Sequence, residues 1–512
     1  MGLVIYPPTL NWSYMRQRPQ HMMLQFAKKG HTVLFFNKTS VEGPVVQEIA
    51  ENLFVVQHPN FFLNEILSKL PSKRDTIYWT SWSRKIPHAS LFQTNTLIYD
   101  CVDDFPDWEQ EEQMYAPLAD AIVCTADHLK EKMEKLVQHP IHLVPNGCEF
   151  EHFAQVKKQS RLDEIPEIPP HDGPRIGYIG AWAPWVNKKI VQELSREMPE
   201  AQFVIIGPNL RSDQPELGDN VFFLGHKSYE SLPFYLRYID VGIIPFSINR
   251  ITRSTNPVKV YEYLATGKPV VSTPLPEVLK MKPHVLIADQ TKQFVKAVRS
   301  ALVNAKKNSR KRMSFAKQHS WEKRFEVVDK HILAPRRKEV FSNQDELQKV
   351  IQSIHTTSTH VPLQHNTVNS YYENMHLPND PAFVGSPSKG TQYECYFQIS
   401  QSQLMPSDGT RVYLEFDLAL EPQSHEEWQI ILSAPLEEWQ PDAITYSNRP
   451  STNEIAKMLI SQPFSTTVSF DVTKQVIEDG LTRFHLCSTA KKALLLDQVR
   501  LTCFHLNKKS EE

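Results

Sequence analysis

The stretch Phe246-Ser-Ile-Asn-Arg250-Ile-Thr-Arg253-Ser254-Thr-Asn256-Pro257-Val258-Lys259-Val260-Tyr261-Glu262-Tyr263-Leu264-Ala265-Thr266-Gly267 lies between two apolar runs, Val241 to Pro245 and Pro269 to Ser272. Asn256-Pro257 reads as an N-cap followed by an N1 proline, and Gly267 as a C-terminal stop, which predicts a short helix between buried strands. A strand, a helix and a second strand in this order form a parallel crossover. The free amides at the start of such a helix make a prepared anion site. Lys259 falls in the first turn, where a cation is opposed by the helix dipole unless an anion is present, so its place suits a bound diphosphate. Glu262, three residues on, reaches the same side and can accept hydrogen bonds from paired hydroxyls such as those of a ribose. A plain ion pair on an exposed helix face stays open as the alternative.

Outward from this stretch the same alternation continues in both directions. Upstream, Leu3 to Tyr6, Thr32 to Phe36, Ile77 to Trp79, Leu97 to Asp100, Ala121 to Cys124 and Ile141 to Val144 are short apolar runs. They are separated by amphipathic segments such as His21 to Lys29, closed by Gly30. After the proline-rich stretch Ile165 to Pro174 the pattern restarts with Arg175 to Ile179, Gln202 to Ile206 and Val221 to Leu224. Two successive α/β halves, 1–165 and 166–335, predict two Rossmann-like domains with a ligand cleft between them, at the carboxyl ends of their strands. The segment from Trp321 to Leu333 is expected as a closing helix. Residues 336–370 are predominantly polar and are expected to form an exposed linker. From 371 to 507 short alternating strands such as Val412 to Leu418 and Thr467 to Val472 predict an all-β sandwich, separable from the rest.

With 512 residues, 41% of them apolar and 22% charged, the chain is expected to form about three folded domains. A formal net charge of −2 provides no global basic field for nucleic acid. The six cysteines are scattered without metal or redox spacing and are expected to be reduced. Met1 to Tyr6 runs into a strand pattern without a secretory signal, and no run of about 18 apolar residues occurs. A cytoplasmic protein is expected, peripheral at the inner face of a membrane at most.

Four pieces together resemble glycosyltransferases of the GT-B fold, in the large family-4-like group (glycosyl transferases group 1), and within it bacterial enzymes of the teichuronic acid type. They are Trp12-Ser-Tyr-Met-Arg16-Gln-Arg18-Pro19-Gln20-His21, Tyr99-Asp100-Cys101-Val102-Asp103-Asp104, Val144-Pro145-Asn146-Gly147, and Asn256 to Gly267. The resemblance implies that Glu262 binds the nucleotide ribose and that the segment before it faces the donor sugar and diphosphate. Asn256, Gly180 and His226 join that donor set by position. Two departures stand out. Ser254 occupies the place of a second family glutamate, and Gly180 to Asn187 lacks the usual basic pair, so Lys259 with Arg250 or Arg253 is expected to meet the diphosphate. Asp103 is the expected general base and Asp104 its alternative, since a carboxylate beside the acceptor hydroxyl can take its proton. Arg16 and Arg18 are expected to meet an anionic acceptor, and Trp12 to offer a sugar platform.

The implied activity is transfer of a sugar from a nucleotide-sugar donor, a UDP-sugar, to a cell-envelope or spore-surface glycan or its lipid-linked precursor. No cofactor and no metal are expected. The alternatives are a non-catalytic glycan-binding or coat scaffold with a decayed GT-B core, and a nucleotide-sugar epimerase. Residues 371–507 more faintly resemble β-sandwich domains of the DNRLRE type, carried by Val412 to Leu418, Trp439 to Pro450 and Phe470 to Thr473. Trp428 and Trp439 are candidate sugar platforms there, with core packing as the commoner role.

Overall fold

The computed structural model describes residues 2–71, 75–158, 165–210, 217–336, 344–369, 377–378, 382–388, 391–398, 410–419, 426–437, 444, 447, 449–460, 463–491 and 493–505. The first sheet has eight strands. Their order is Val46–Ala50, Leu53–Val56, Thr32–Phe36, Leu3–Tyr6, Thr76–Thr80, Thr96–Cys101, Ala121–Cys124 and Ile141–Leu143. Only Val46–Ala50 runs antiparallel to its neighbour. Leu3–Tyr6, Thr32–Phe36 and Leu53–Val56 are buried along their whole length, as strands covered on both faces must be. The second sheet has six parallel strands in the order Val221–Phe223, Gln202–Ile206, Arg175–Ile179, Val241–Ile244, Val270–Ser272 and Leu286–Ile287. In chain order this is 3-2-1-4-5-6, so the topology reverses between Arg175–Ile179 and Val241–Ile244, where such sheets open a crevice.

The closing helix Trp321–Val328 is capped by Ser320, whose hydroxyl accepts from the Lys323 amide at 3.3 Å, and it runs on into the π-helical turn Asp329–Leu333. It does not stay with the second domain. Phe325 packs edge-on against Phe26 at 4.7 Å, and Trp321, Val328, Ile332 and Leu333 join the core of the first.

Of the residues expected as a linker, 344–369 are structured. Helix Gln344–Gln352 buries Leu347 and Ile351 in the first domain's core. Strand Thr357–Pro362 pairs antiparallel with the long strand Leu494–His505 on one side and with Gly43–Pro44 of the first domain on the other. Polarity misled the expectation, because Thr-Ser-Thr-His is held by backbone ladders and by contacts made with another domain.

Beyond it, antiparallel strands enclose a core that includes Val412, Leu414, Phe416, Ile430, Leu432, Phe484 and Leu486. Strand Arg411–Leu418 alternates in sequence yet is buried on both faces. Its even-numbered side chains fill the β-domain core, while Tyr413, with Phe464 and Phe504, completes the core of the first Rossmann-like domain. Asn60 Nδ2 donates to the Thr467 carbonyl at 2.6 Å, and Lys85 Nζ to that of Pro463 at 2.8 Å. The hydroxyls of Ser465 and Thr466 both donate to the Lys38 carbonyl, at 2.9 and 3.0 Å. Trp428 is 3% exposed and belongs to the core, and Trp439 lies outside the described residues. No described helix is long and apolar enough to cross a membrane.

Candidate active site

A cavity of about 630 Å³ opens between the two Rossmann-like domains, against the carboxyl ends of both sheets. Arg16, Arg18, Lys38 and Asp103 line it from the first domain, and Gly180, Trp185, His226, Lys227 and Lys259 from the second. The domains are joined at its floor. The Asn146 amide donates to Asn256 Oδ1 at 3.2 Å, and Asn146 Nδ2 to the Asn256 carbonyl at 2.6 Å.

The donor-side helix runs Val258–Ala265 with Pro257, not Asn256, at its N-cap. The expected cap is therefore displaced by one residue, because the Asn256 side chain is taken by the link to Asn146. Lys259 faces the cavity, and its Nζ stands 2.9 Å from Glu262 Oε2. Glu262 is 1% exposed, so the pair is not a surface one, and neither carboxylate oxygen has a hydrogen-bond partner of good geometry. Glu262 lies behind Lys259, outside the residues that line the cavity. Ser254, where the resemblance implies a glutamate, is fully buried with an unpartnered hydroxyl. Gly180 has φ +153°, and a Cβ there would stand 2.9 Å from the Tyr178 hydroxyl, so the turn beneath the donor side needs glycine.

The remaining candidates divide. Arg250 is turned away from any diphosphate, since it bonds Asp104 at 2.9 and 3.1 Å and Glu109 at 2.9 Å and clasps the two domains together. Arg253 is exposed and does not line the cavity, which removes it from the donor set. Asp104 is occupied by Arg250 and by Lys132 at 2.7 Å. Burial raises its pKa, but the hydrogen bonds from these two cations outweigh it and hold the carboxyl below its ordinary value. It is placed as a structural anion rather than a base. Asp103 points the other way, into the cavity, with no ion pair or side-chain hydrogen bond among the described residues, and burial pushes its carboxyl up to about 7.

On the acceptor side, Arg18 is not a free cation. Its Nε donates to both oxygens of the fully buried Asp100, at 2.8 and 3.0 Å, and Trp79 Nε1 donates to the same carboxylate at 3.1 Å. One terminal nitrogen of Arg18 stays buried and unpartnered. Arg16 reaches across to the second domain, 4.8 Å over the Tyr229 ring and 3.4 Å from Glu230. Trp12 packs edge-on against Phe35 at 5.1 Å and lies outside the cavity lining, so it is no sugar platform here. His226 is exposed at the rim, its ring parallel to that of Tyr14 at 6.1 Å. The sequence did not single out Lys38, Trp82, Phe105 or Trp108, which line the first-domain wall. Their signal was weak, since they sit in loops or, for Trp108, in the short helical turn Pro106–Trp108, without any local spacing rule.

Residues 173–304 match the family described as glycosyl transferases group 1. A protein of Bacillus subtilis strain 168, named for a role as the teichuronic acid biosynthesis glycosyltransferase TuaH, is 28% identical over 273 residues, 48% of this chain and 68% of that protein. The chain is a glycosyltransferase. Sucrose-phosphate synthase from Thermosynechococcus elongatus matches the structure with a TM-score of 0.51 at 15% identity, over 65% of this chain and 98% of its own. The trehalose-6-phosphate synthase OtsA gives 0.50 at 12%, over 66% and 100%. These two likenesses carry the fold of this glycosyltransferase, which is GT-B.

Proposed function

We propose that the enzyme transfers a sugar from a UDP-sugar to a hydroxyl of a cell-envelope glycan or its lipid-linked precursor. The observation that carries the donor half is Glu262, a buried carboxylate ion-paired with Lys259 but without a hydrogen bond of good geometry on either oxygen, one turn beyond that cavity-facing lysine at a helix start. A buried carboxylate short of hydrogen-bond donors is costly, and a ribose diol would supply them. Lys259 swings from Glu262 to the diphosphate as the ribose hydroxyls replace it, and the first amides of the helix add their partial positive charge. The positive groups of the cavity, Lys38 and Lys259 among them, suit a dianionic leaving group without a metal ion.

In the transfer the bond between the anomeric carbon and the phosphate oxygen breaks, and the acceptor oxygen bonds to that carbon. Asp103 takes the acceptor proton, and UDP leaves with the electron pair of the broken bond. A carboxyl held near 7 is suited to this work, since a base is most effective when its pKa lies near the working pH. The envelope-glycan acceptor rests on the name of the Bacillus relative. Incubation with a panel of UDP-sugars and candidate acceptors, following released UDP, tests the proposal. Sugar conversion without nucleotide release would favour an epimerase, and neither change would favour a non-catalytic scaffold.

A further inference from the structure

Where the β-domain meets the first Rossmann-like domain, three side chains from distant parts of the chain converge: His58, His360 and Glu415. One ligand atom of each lies within 4.8 Å of the others. His58 precedes the short helix Pro59–Phe61 of the first domain, while His360 and Glu415 stand on strands Thr357–Pro362 and Arg411–Leu418 of the β-domain. His58 and Glu415 are 0% and 1% exposed. His58 Nδ1 and His360 Nε2 are both buried without a hydrogen bond of good geometry, with the Val41 backbone near the His58 ring. Two imidazole nitrogens without a well-formed hydrogen bond beside a carboxylate are a cost that ordinary packing would remove.

We propose that His58, His360 and Glu415 form a zinc site that fastens the β-domain to the first Rossmann-like domain. Imidazole and carboxylate are zinc donors, and two histidines with one glutamate form an established ligand set for it. Tetrahedral coordination at about 2.1 Å from each donor needs about 3.4 Å between donors, so side-chain rotations of the order of an ångström close the set. Supporting contacts of the kind that orient metal ligands are present. Ser358 Oγ holds His58 Nε2 at 2.6 Å, which directs the ring and leaves Nδ1 for the metal. Glu415 accepts from Ser469 Oγ at 2.5 Å and from Thr502 Oγ1 at 2.6 Å, with lone pairs to spare. Arg500 is the opposing charge, 3.6 Å from Glu415 and 3.2 Å from Asp417. One guanidinium against two carboxylates leaves the site one negative charge in excess, which favours a bound cation. His360 is only partly buried and its amide donates to the exposed Glu42 carboxylate at 3.4 Å, so Glu42 or water can complete the fourth position.

The test uses the full-length chain, stripped with a chelator and re-equilibrated with zinc alone. The expected result is close to one zinc per chain by mass spectrometry at about 10 µM free metal, a higher thermal midpoint, and tetrahedral absorption bands when cobalt replaces it. His360→Gln and Glu415→Gln should each lower zinc affinity by about tenfold or more. His360→Gln keeps its backbone ladder, so its metal-free midpoint should equal that of the metal-free parent, which separates lost binding from lost folding. A parent chain that holds no zinc under these conditions, or variants that hold it as the parent does, would overturn the site. Zinc bound without any change in the midpoint would overturn its role as a fastener.

Discussion

Asp103→Asn removes one ionisable oxygen from the cavity wall and little else, which makes it a clean probe of the proposed base. With a carboxyl at about 7, about one molecule in ten carries the ionised form at pH 6 and about nine in ten at pH 8. The parent's kcat/KM should therefore rise about tenfold across that interval and level off above it. The asparagine variant should lose that limb of the profile, with kcat lower by about 100-fold or more and UDP affinity close to the parent's. Stability gives an independent check. The folded pKa lies above the unfolded 3.8, so the native state holds the proton more tightly, and folding stability falls as pH rises from about 4 to about 7. Asp103→Asn should consequently be more stable than the parent at pH 8, by roughly 2 kcal/mol once cleft solvent screens the full linkage value, and equal to it near pH 4. Initial rates of UDP release from pH 5.5 to 8 and thermal melts at pH 4 and pH 8 are the measurements. A flat rate profile in the parent, or an asparagine variant within about threefold of it, would refute the assignment.

Lys259→Ala and Glu262→Gln should each weaken UDP binding by about 1.5 to 3 kcal/mol in calorimetric titration, the worth of a charge-assisted hydrogen bond. Arg250→Ala unclasps Asp104 and Glu109 across the domain boundary. As Arg250 is largely exposed, the loss in melting stability should stay under about 1 kcal/mol, while small-angle scattering should show a more open pair of domains. A chain cut after Arg336 should aggregate or melt far below the parent. It loses the burial of Leu347, Ile351, Tyr413, Phe464 and Phe504, each worth about 1.5 kcal/mol or more, against a net stability of about 5 to 15 kcal/mol. Cooperative melting of that fragment near the parent's midpoint would show the β-domain to be an independent module after all.

The two α/β halves were legible because their signals are local. Buried strands such as Leu3–Tyr6 and Gln202–Ile206 spell themselves in consecutive apolar residues, and Gly30 and Gly267 mark helix ends by their positive φ, +83° and +79°. Lys259 beside Glu262 was legible for the same reason, being one helical turn apart. What the sequence hid depends on contacts between distant segments. Nothing near Asp104 announces that Arg250 and Lys132 will occupy it, and nothing in Trp12 announces Phe35. Metal spacing rules look for ligands a few residues apart, whereas His58, His360 and Glu415 meet only because the β-domain docks. The second buried face of Arg411–Leu418 was invisible too, since alternation records which side chains turn inward and not what covers those that turn outward.

The paired bonds that Asn146 donates to Asn256 have a mechanical consequence. Any rotation of one domain against the other that preserves them has its fulcrum at the start of the donor-side helix, and displacement then grows with distance from that point. Lys259 lies one turn away and hardly moves. The rim, where Tyr14 faces His226 and Arg16 reaches Glu230, sweeps through the full arc. In such a rotation the floor of the cleft would keep its shape while the mouth changes width, so access at the rim could vary without disturbing the Lys259 end.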